Sequence, residues 1–88
     1  MSVDLSSTTM YYAFMNIKNE VLLTQLAEKI KARRTELNIS QEKLAEKCNF
    51  DRTYISLLER SKRNLSFSNL KKLCDGLEIS LSDLLKGL

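Results

Sequence analysis

Histidine, proline and tryptophan are absent from this 88-residue chain, and glycine and cysteine occur twice each. Without histidine the chain cannot form a cysteine–histidine zinc site or use an imidazole as general base. Cys48 and Cys74 both fall on apolar helix positions and are expected to be reduced core thiols, so no nucleophile–base pair and no metal site can be assembled. The expectation is a protein that is not an enzyme, with no cofactor and no metal. Lacking proline and nearly lacking glycine, the chain has few strand-and-turn signals, and an all-α fold follows. No basic leader with a long apolar core stands at the N-terminus, and no apolar run approaches the roughly 20 residues that would span a bilayer, so no membrane partner is expected. The protein is expected to be soluble and cytoplasmic. In that setting the triplets Asn38-Ile39-Ser40 and Asn64-Leu65-Ser66 are chance matches to a glycosylation pattern.

What the chain does have is an uneven distribution of charge. The formal net charge is only +3. Between Arg52 and Lys72, however, six Lys/Arg stand against one acid, Glu59, whereas residues 1–17 hold no base and one acid, Asp4. Such asymmetry points to a face turned toward a polyanion, although a solvated surface carries similar clusters about as often.

Eighty-eight residues make one domain with a modest core. Residues 1–18 read as an N-terminal arm open to partial disorder, in which Tyr11, Tyr12 and Phe14 are apolar enough to pack against the body or a partner. Residues 19–88 read as the folded domain. Its first helix is predicted over about Asn19 to Leu37, with Leu23, Leu26, Ala27, Ile30 and Leu37 recurring at helical spacing. Ser40 is a good N-cap for a second helix, Gln41 to Cys48, with Leu44, Ala45 and Cys48 inward. Asn49 suits the left-handed conformation that ends a helix, and Asp51 caps a third, Arg52 to about Arg60. Two short helices meeting across so tight a turn are the helix-turn-helix signature. Ser66 or Ser68 caps a fourth helix with Leu70, Leu73, Cys74 and Leu77 inward, and Ser80 with Asp83 starts a fifth, which Gly87 ends. The coarse structure is a compact five-helix bundle.

On a helical wheel with Ile55 and Leu58 buried, Thr53, Ser56, Leu57 and Arg60 face outward, and Arg52 stands at the exposed N-terminal end. A major groove requires such a set. Arginine forks onto guanine O6 and N7, the hydroxyls bond either way, and methyl groups touch thymine. Arg60, Lys62, Arg63 and Asn64 lie just beyond, where they can bind phosphates, and Gln41 at the start of the second helix can do the same. Arg34 sits inside the apolar stripe of the first helix and needs a partner. Glu59 turns toward the core side of the third, so the two are expected to form a structural ion pair.

The string SQEKLAEKCNFDRTYISLLERSKRNLS resembles the lambda-repressor/Cro-like (XRE) helix-turn-helix family, over roughly Leu22 to Leu85. The matching residues are Ser40-Gln41, Leu44-Ala45, Ile55-Ser56 and Glu59-Arg60, followed by Leu70, Leu73, Leu77, Ile79 and Leu84-Leu85. Within that family DRTYIS, ERSKRNLS and DGLEIS are most similar to the controller proteins of restriction–modification systems. The resemblance implies a sequence-specific regulator bound to a double-stranded operator, with RNA polymerase as a further candidate partner. It assigns base contacts to Arg52, Thr53 and Ser56 with Tyr54 nearby, and backbone contacts to Gln41, Arg60, Arg63 and Asn64. It also points to the Arg34–Glu59 pair. Asn49 and Ser61 depart from the pattern by replacing glycines usual at those turns.

Leu81, Leu84, Leu85 and Leu88 supply more apolar surface than one short terminal helix readily buries, so a homodimer through these residues on a palindromic site is expected. The alternatives are a phage-type repressor, or an antitoxin-like helical module whose arm wraps a protein partner.

Overall fold

The computed structural model describes the backbone of residues 5–88 and the side chains of residues 19–88. Among the described residues there are five helices and no strand: α1 (Leu5–Glu36), α2 (Gln41–Cys48), α3 (Arg52–Glu59), α4 (Phe67–Gly76) and α5 (Leu81–Leu85). Connectors of three to seven residues join them.

The boundaries of α2, α4 and α5 follow from their caps. Ser40 Oγ accepts from the Lys43 amide at 3.0 Å, Ser66 Oγ from Asn69 at 3.2 Å and Ser80 Oγ from Asp83 at 3.1 Å, each satisfying an amide that the helix cannot. Asp51 has the extended backbone of a cap ahead of α3, but its side chain makes no cap hydrogen bond.

The first helix differs most from expectation. It begins at Leu5 instead of near Asn19 and runs 32 residues, about 48 Å at 1.5 Å per residue. It passes through residue 18, where the sequence reading sets the edge of a separate arm. No proline or glycine precedes Gly76, so nothing in the chain stops the helix early. The packing proposed for Tyr11, Tyr12 and Phe14 lies outside the described side chains.

Four helices end alike. Asn38, Asn49, Ser61 and Glu78 have φ between 54° and 60°, and the residue after each donates its amide five residues back: Ile39 to Arg34, Phe50 to Ala45, Lys62 to Leu57 and Ile79 to Cys74. These are Schellman closures made without glycine. Three of the following residues, Ile39, Phe50 and Ile79, tuck against the core. The fourth, Lys62, is exposed, so the end of α3 presents a cation where the others present an apolar side chain.

Leu44, Ile55, Leu73 and Leu77 are fully buried, with Ile30 and Leu84 at 1% exposure, and they join all five helices into one core. Ala45, 3% exposed, lets α2 and α3 cross closely. Cys48 and Cys74 are buried free thiols; burial pushes Cys48 up to about 11 and Cys74 in the same direction, which keeps both protonated.

Gly76 is a tight point of this core, because a Cβ there would collide with Cys48 Sγ. Gly76→Ala is therefore expected to destabilise by about 1–3 kcal/mol, the usual range for overpacking. Alanine's helix advantage of about 1 kcal/mol is already outweighed in that range. Urea melts of Gly76→Ala, Cys48→Ala and the double variant check this. If Cys48→Ala does not recover most of the loss, the collision is not its cause.

Candidate nucleic-acid interface

Ile55 and Leu58 anchor α3 at 0% and 2% exposure, which fixes the direction of every other side chain on its two turns. Arg52, Thr53 and Arg60 are exposed, and Ser56 and Leu57 are half-buried at the edge of the same stripe. Arg60 Nε lies 3.4 Å from the Ser56 carbonyl, a long contact that leaves the guanidinium free to move. Asp51 accepts through its backbone carbonyl from Tyr54 and Ile55 at 3.1 and 3.3 Å. The amides of Arg52 and Thr53 thus remain at the open N-terminus of the helix, a favourable place for an anion.

One flank of α3 is locked to α1 and α2. Arg34 Nε donates to Glu59 Oε2 at 2.7 Å, Arg34 Nη2 to Glu59 Oε1 at 3.0 Å, and Arg34 Nη1 to the Ile39 carbonyl at 2.9 Å. The pair is two-pronged and enclosed: the side chains are 15% and 3% exposed. The Glu59 hydrogen bond raises the Arg34 pKa further above its ordinary value, against burial, which lowers it. Gln41 Nε2 donates to Glu59 Oε1 at 3.1 Å. Gln41 is thus held by the reading helix while its second amide hydrogen stays available to a phosphate.

Tyr54 lies on the opposite flank. The resemblance groups it with the base-reading residues, but the structure does not bring it onto the outward stripe. Its hydroxyl accepts from Asn69 Nδ2 at 3.1 Å and reaches the Asn64 carbonyl at 3.5 Å, and its ring meets Phe50 edge-on at 4.9 Å. The wheel explains this: residue 54 follows Thr53 by about 100°, which carries it past the solvent stripe toward α4. Arg63 lines an open groove of about 440 Å³ with Thr53, Tyr54 and Leu57. Lys62 and Asn64 are exposed in the loop beyond α3, where Asn64 Oδ1 accepts from the Leu65 amide at 3.0 Å.

The C-terminal leucines divide by helix face. Leu84 is 1% exposed and belongs to the domain's interior, while Leu81 is half-buried against the core. Residues 81 and 84, three apart, share the inner face of a five-residue helix, Leu85 falls outside that face, and Leu88 lies beyond the helix end. Leu85 and Leu88 are 36% and 37% exposed. With Leu22, Leu23 and Leu26 of α1 they line a groove of about 720 Å³.

A family model described as helix-turn-helix matches residues 30–84. The control protein C.SmaI of Serratia marcescens is 43% identical over 72 residues, 82% of this chain and 80% of that protein. The restriction–modification controller protein C.Esp1396I, solved as a tetramer in complex with its natural 35 base-pair operator, superposes with a TM-score of 0.68 at 43% identity, covering 73% of this chain and 88% of that one. The chain belongs to the helix-turn-helix family of restriction–modification control proteins. Another control protein, C.MunI of a Mycoplasma species, is 46% identical over 54 residues, 61% of this chain and 73% of the relative. The helix-turn-helix match begins at residue 30, so most of α1 is outside it.

Sequence reasoning missed three features of this control-protein fold: the Tyr54–Asn69 bond, the Gly76–Cys48 contact and the seat of Lys72 on the Phe50 ring. Each joins residues that are distant along the chain, and short-range periodicity carries no signal for such contacts. Among the described residues no helix is long and apolar enough to cross a membrane.

Proposed function

We propose that this control protein is a sequence-specific transcription regulator acting in the cytoplasm, whose residues 19–88 bind a palindromic operator in double-stranded DNA as a symmetric dimer and so govern restriction–modification genes. The observation that carries the reading is α3 itself: Arg52, Thr53, Ser56 and Leu57 on its solvent side, rigid support behind them, and Arg60, Lys62 and Arg63 immediately beyond. The operator complex of C.Esp1396I, a relative of the same fold, supports it.

The mechanism follows from the geometry. The N-terminus of α3 enters the major groove first, where Arg52 forks onto a guanine and Thr53 and Ser56 bond neighbouring base edges. Gln41, Arg60, Lys62, Arg63 and Asn64 hold phosphates on either side and set the register without reading sequence. The Arg34–Glu59 lock keeps α3 from tilting, so that base contacts 3 Å long are made or lost as a set.

The test uses a duplex that the native protein selects from a random pool, together with single-base variants of it. Arg52→Ala is expected to lose about 1–3 kcal/mol of discrimination at one base pair and to leave the other positions unchanged. Arg63→Ala should instead weaken binding to every duplex alike and make the salt dependence shallower by about one phosphate. If Arg52→Ala loses the same affinity on every duplex, the base-reading assignment fails.

A further inference from the structure

Lys71 and Lys72 are neighbours on α4 with different surroundings. Lys71 Nζ is 3.0 Å from Asp75 Oδ1, an ordinary pair one turn apart on the surface. Lys72 makes no ion pair among the described residues. Its ammonium instead lies 5.4 Å from the centroid of the Phe50 ring, which is braced edge-on by Tyr54. A cation over a fixed ring gives up part of its side-chain freedom before any ligand arrives.

The place where it is held matters. Lys72 lines the same open groove as Thr53, Leu57 and Arg63, so it stands beside the outward stripe of α3 on the flank opposite Gln41. On the wheel Tyr54, on the Lys72 side, and Glu59, on the Gln41 side, are about 140° apart across the buried face, so the outward stripe fills the remaining arc of about 220° between them. A helix seated in a major groove has a phosphate strand along each side. Gln41 serves one side, and the other meets the groove that holds Arg63 and Lys72. Asp51 is the acid in that groove, and the two cations outnumber it.

We propose that Lys72, pre-positioned on Phe50, is a phosphate-binding residue that grips the strand opposite the one held by Gln41. This inference rests on the DNA-binding reading above and adds a residue to it. The ring keeps the ammonium at the groove's edge, and binding exchanges its loosely held counterion for a phosphate oxygen, with no change in the fold.

The experiment measures the salt dependence of binding to a mixed-sequence duplex for the native protein, Lys72→Met, Lys72→Arg and Lys71→Ala, with a thermal melt of each to verify folding. Methionine keeps an apolar stem against Phe50 and removes the charge. The expected result is a log–log slope shallower by about 0.9 for Lys72→Met, so that a fourfold rise in salt costs this variant about 3.5-fold less affinity than it costs the native protein. Lys72→Arg and Lys71→Ala should keep the native slope. A native slope in Lys72→Met, or an equal change in Lys71→Ala, overturns the assignment while leaving the DNA-binding reading intact. Absence of salt-dependent binding by the native protein overturns both.

Discussion

Glu59→Ala is expected to cost about 3–5 kcal/mol of folding stability. The carboxylate is 3% exposed and accepts from Arg34 twice and from Gln41 once. Its removal leaves a guanidinium that is 15% exposed with only the Ile39 carbonyl as partner. An uncompensated charge in such a place is the reason the breakage is expensive, even though the intact pair adds little over a well-packed apolar pair. For a domain of this size about 3 kcal/mol corresponds to roughly 12–24 °C in Tm. Arg34→Met combined with Glu59→Ala should therefore lose less than the two single losses added together. Denaturant melts of the three variants decide the matter. A loss under about 1 kcal/mol for Glu59→Ala, the size seen for exposed pairs, would contradict the enclosure described.

The second large effect concerns assembly. Leu85→Glu and Leu88→Glu are each expected to give a folded monomer whose affinity for a palindromic duplex drops by about 10²–10⁴-fold, the usual gain from joining two binding modules. Both side chains are outward at 36% and 37% exposure, so a charge there leaves the core of the single chain undisturbed. Leu84→Glu is the contrast: at 1% exposure it should unfold the domain instead of dissociating it. Sedimentation with a melt on the same samples separates the two outcomes. If the native protein is a monomer at concentrations well above those that fill the duplex, a preformed dimer is excluded.

The parts of the fold legible in the sequence are those determined within a few residues. Ser40 and Ser80 cap the helices they precede, and Asn49 adopts the left-handed turn expected of it. Ser61, a departure from the glycine of the family pattern, takes the same left-handed conformation at φ 60°. With Ile55 and Leu58 taken as the buried pair, the wheel turns Glu59 toward the core side, where Arg34 of the first helix's apolar stripe needs a partner, because helical spacing is a strict rule over two turns. The start of α1 was not legible. A polar and aromatic stretch without periodicity gives no positive signal, and only the lack of a breaker pointed to a longer helix. The four C-terminal leucines looked equivalent because hydrophobicity does not say which face of a short helix meets the core. Gly76 carries no signal in the sequence, since its close approach to Cys48 exists only when α2 and α4 are packed together.

The short connectors have a consequence in time. With at most seven residues between helices, most of the native arrangement joins segments already close along the chain, and domains of that kind fold in microseconds to milliseconds. Synthesis of 88 residues at 5–20 residues per second takes about 4–18 s. Each copy is therefore fully formed almost as soon as it leaves the ribosome, and folding adds no delay of its own. On the dimer reading, the interval between the first transcript and an occupied operator is set by how quickly copies accumulate and find one another. That interval lengthens or shortens with the rate of expression, so the protein's own abundance measures out the waiting period before control begins.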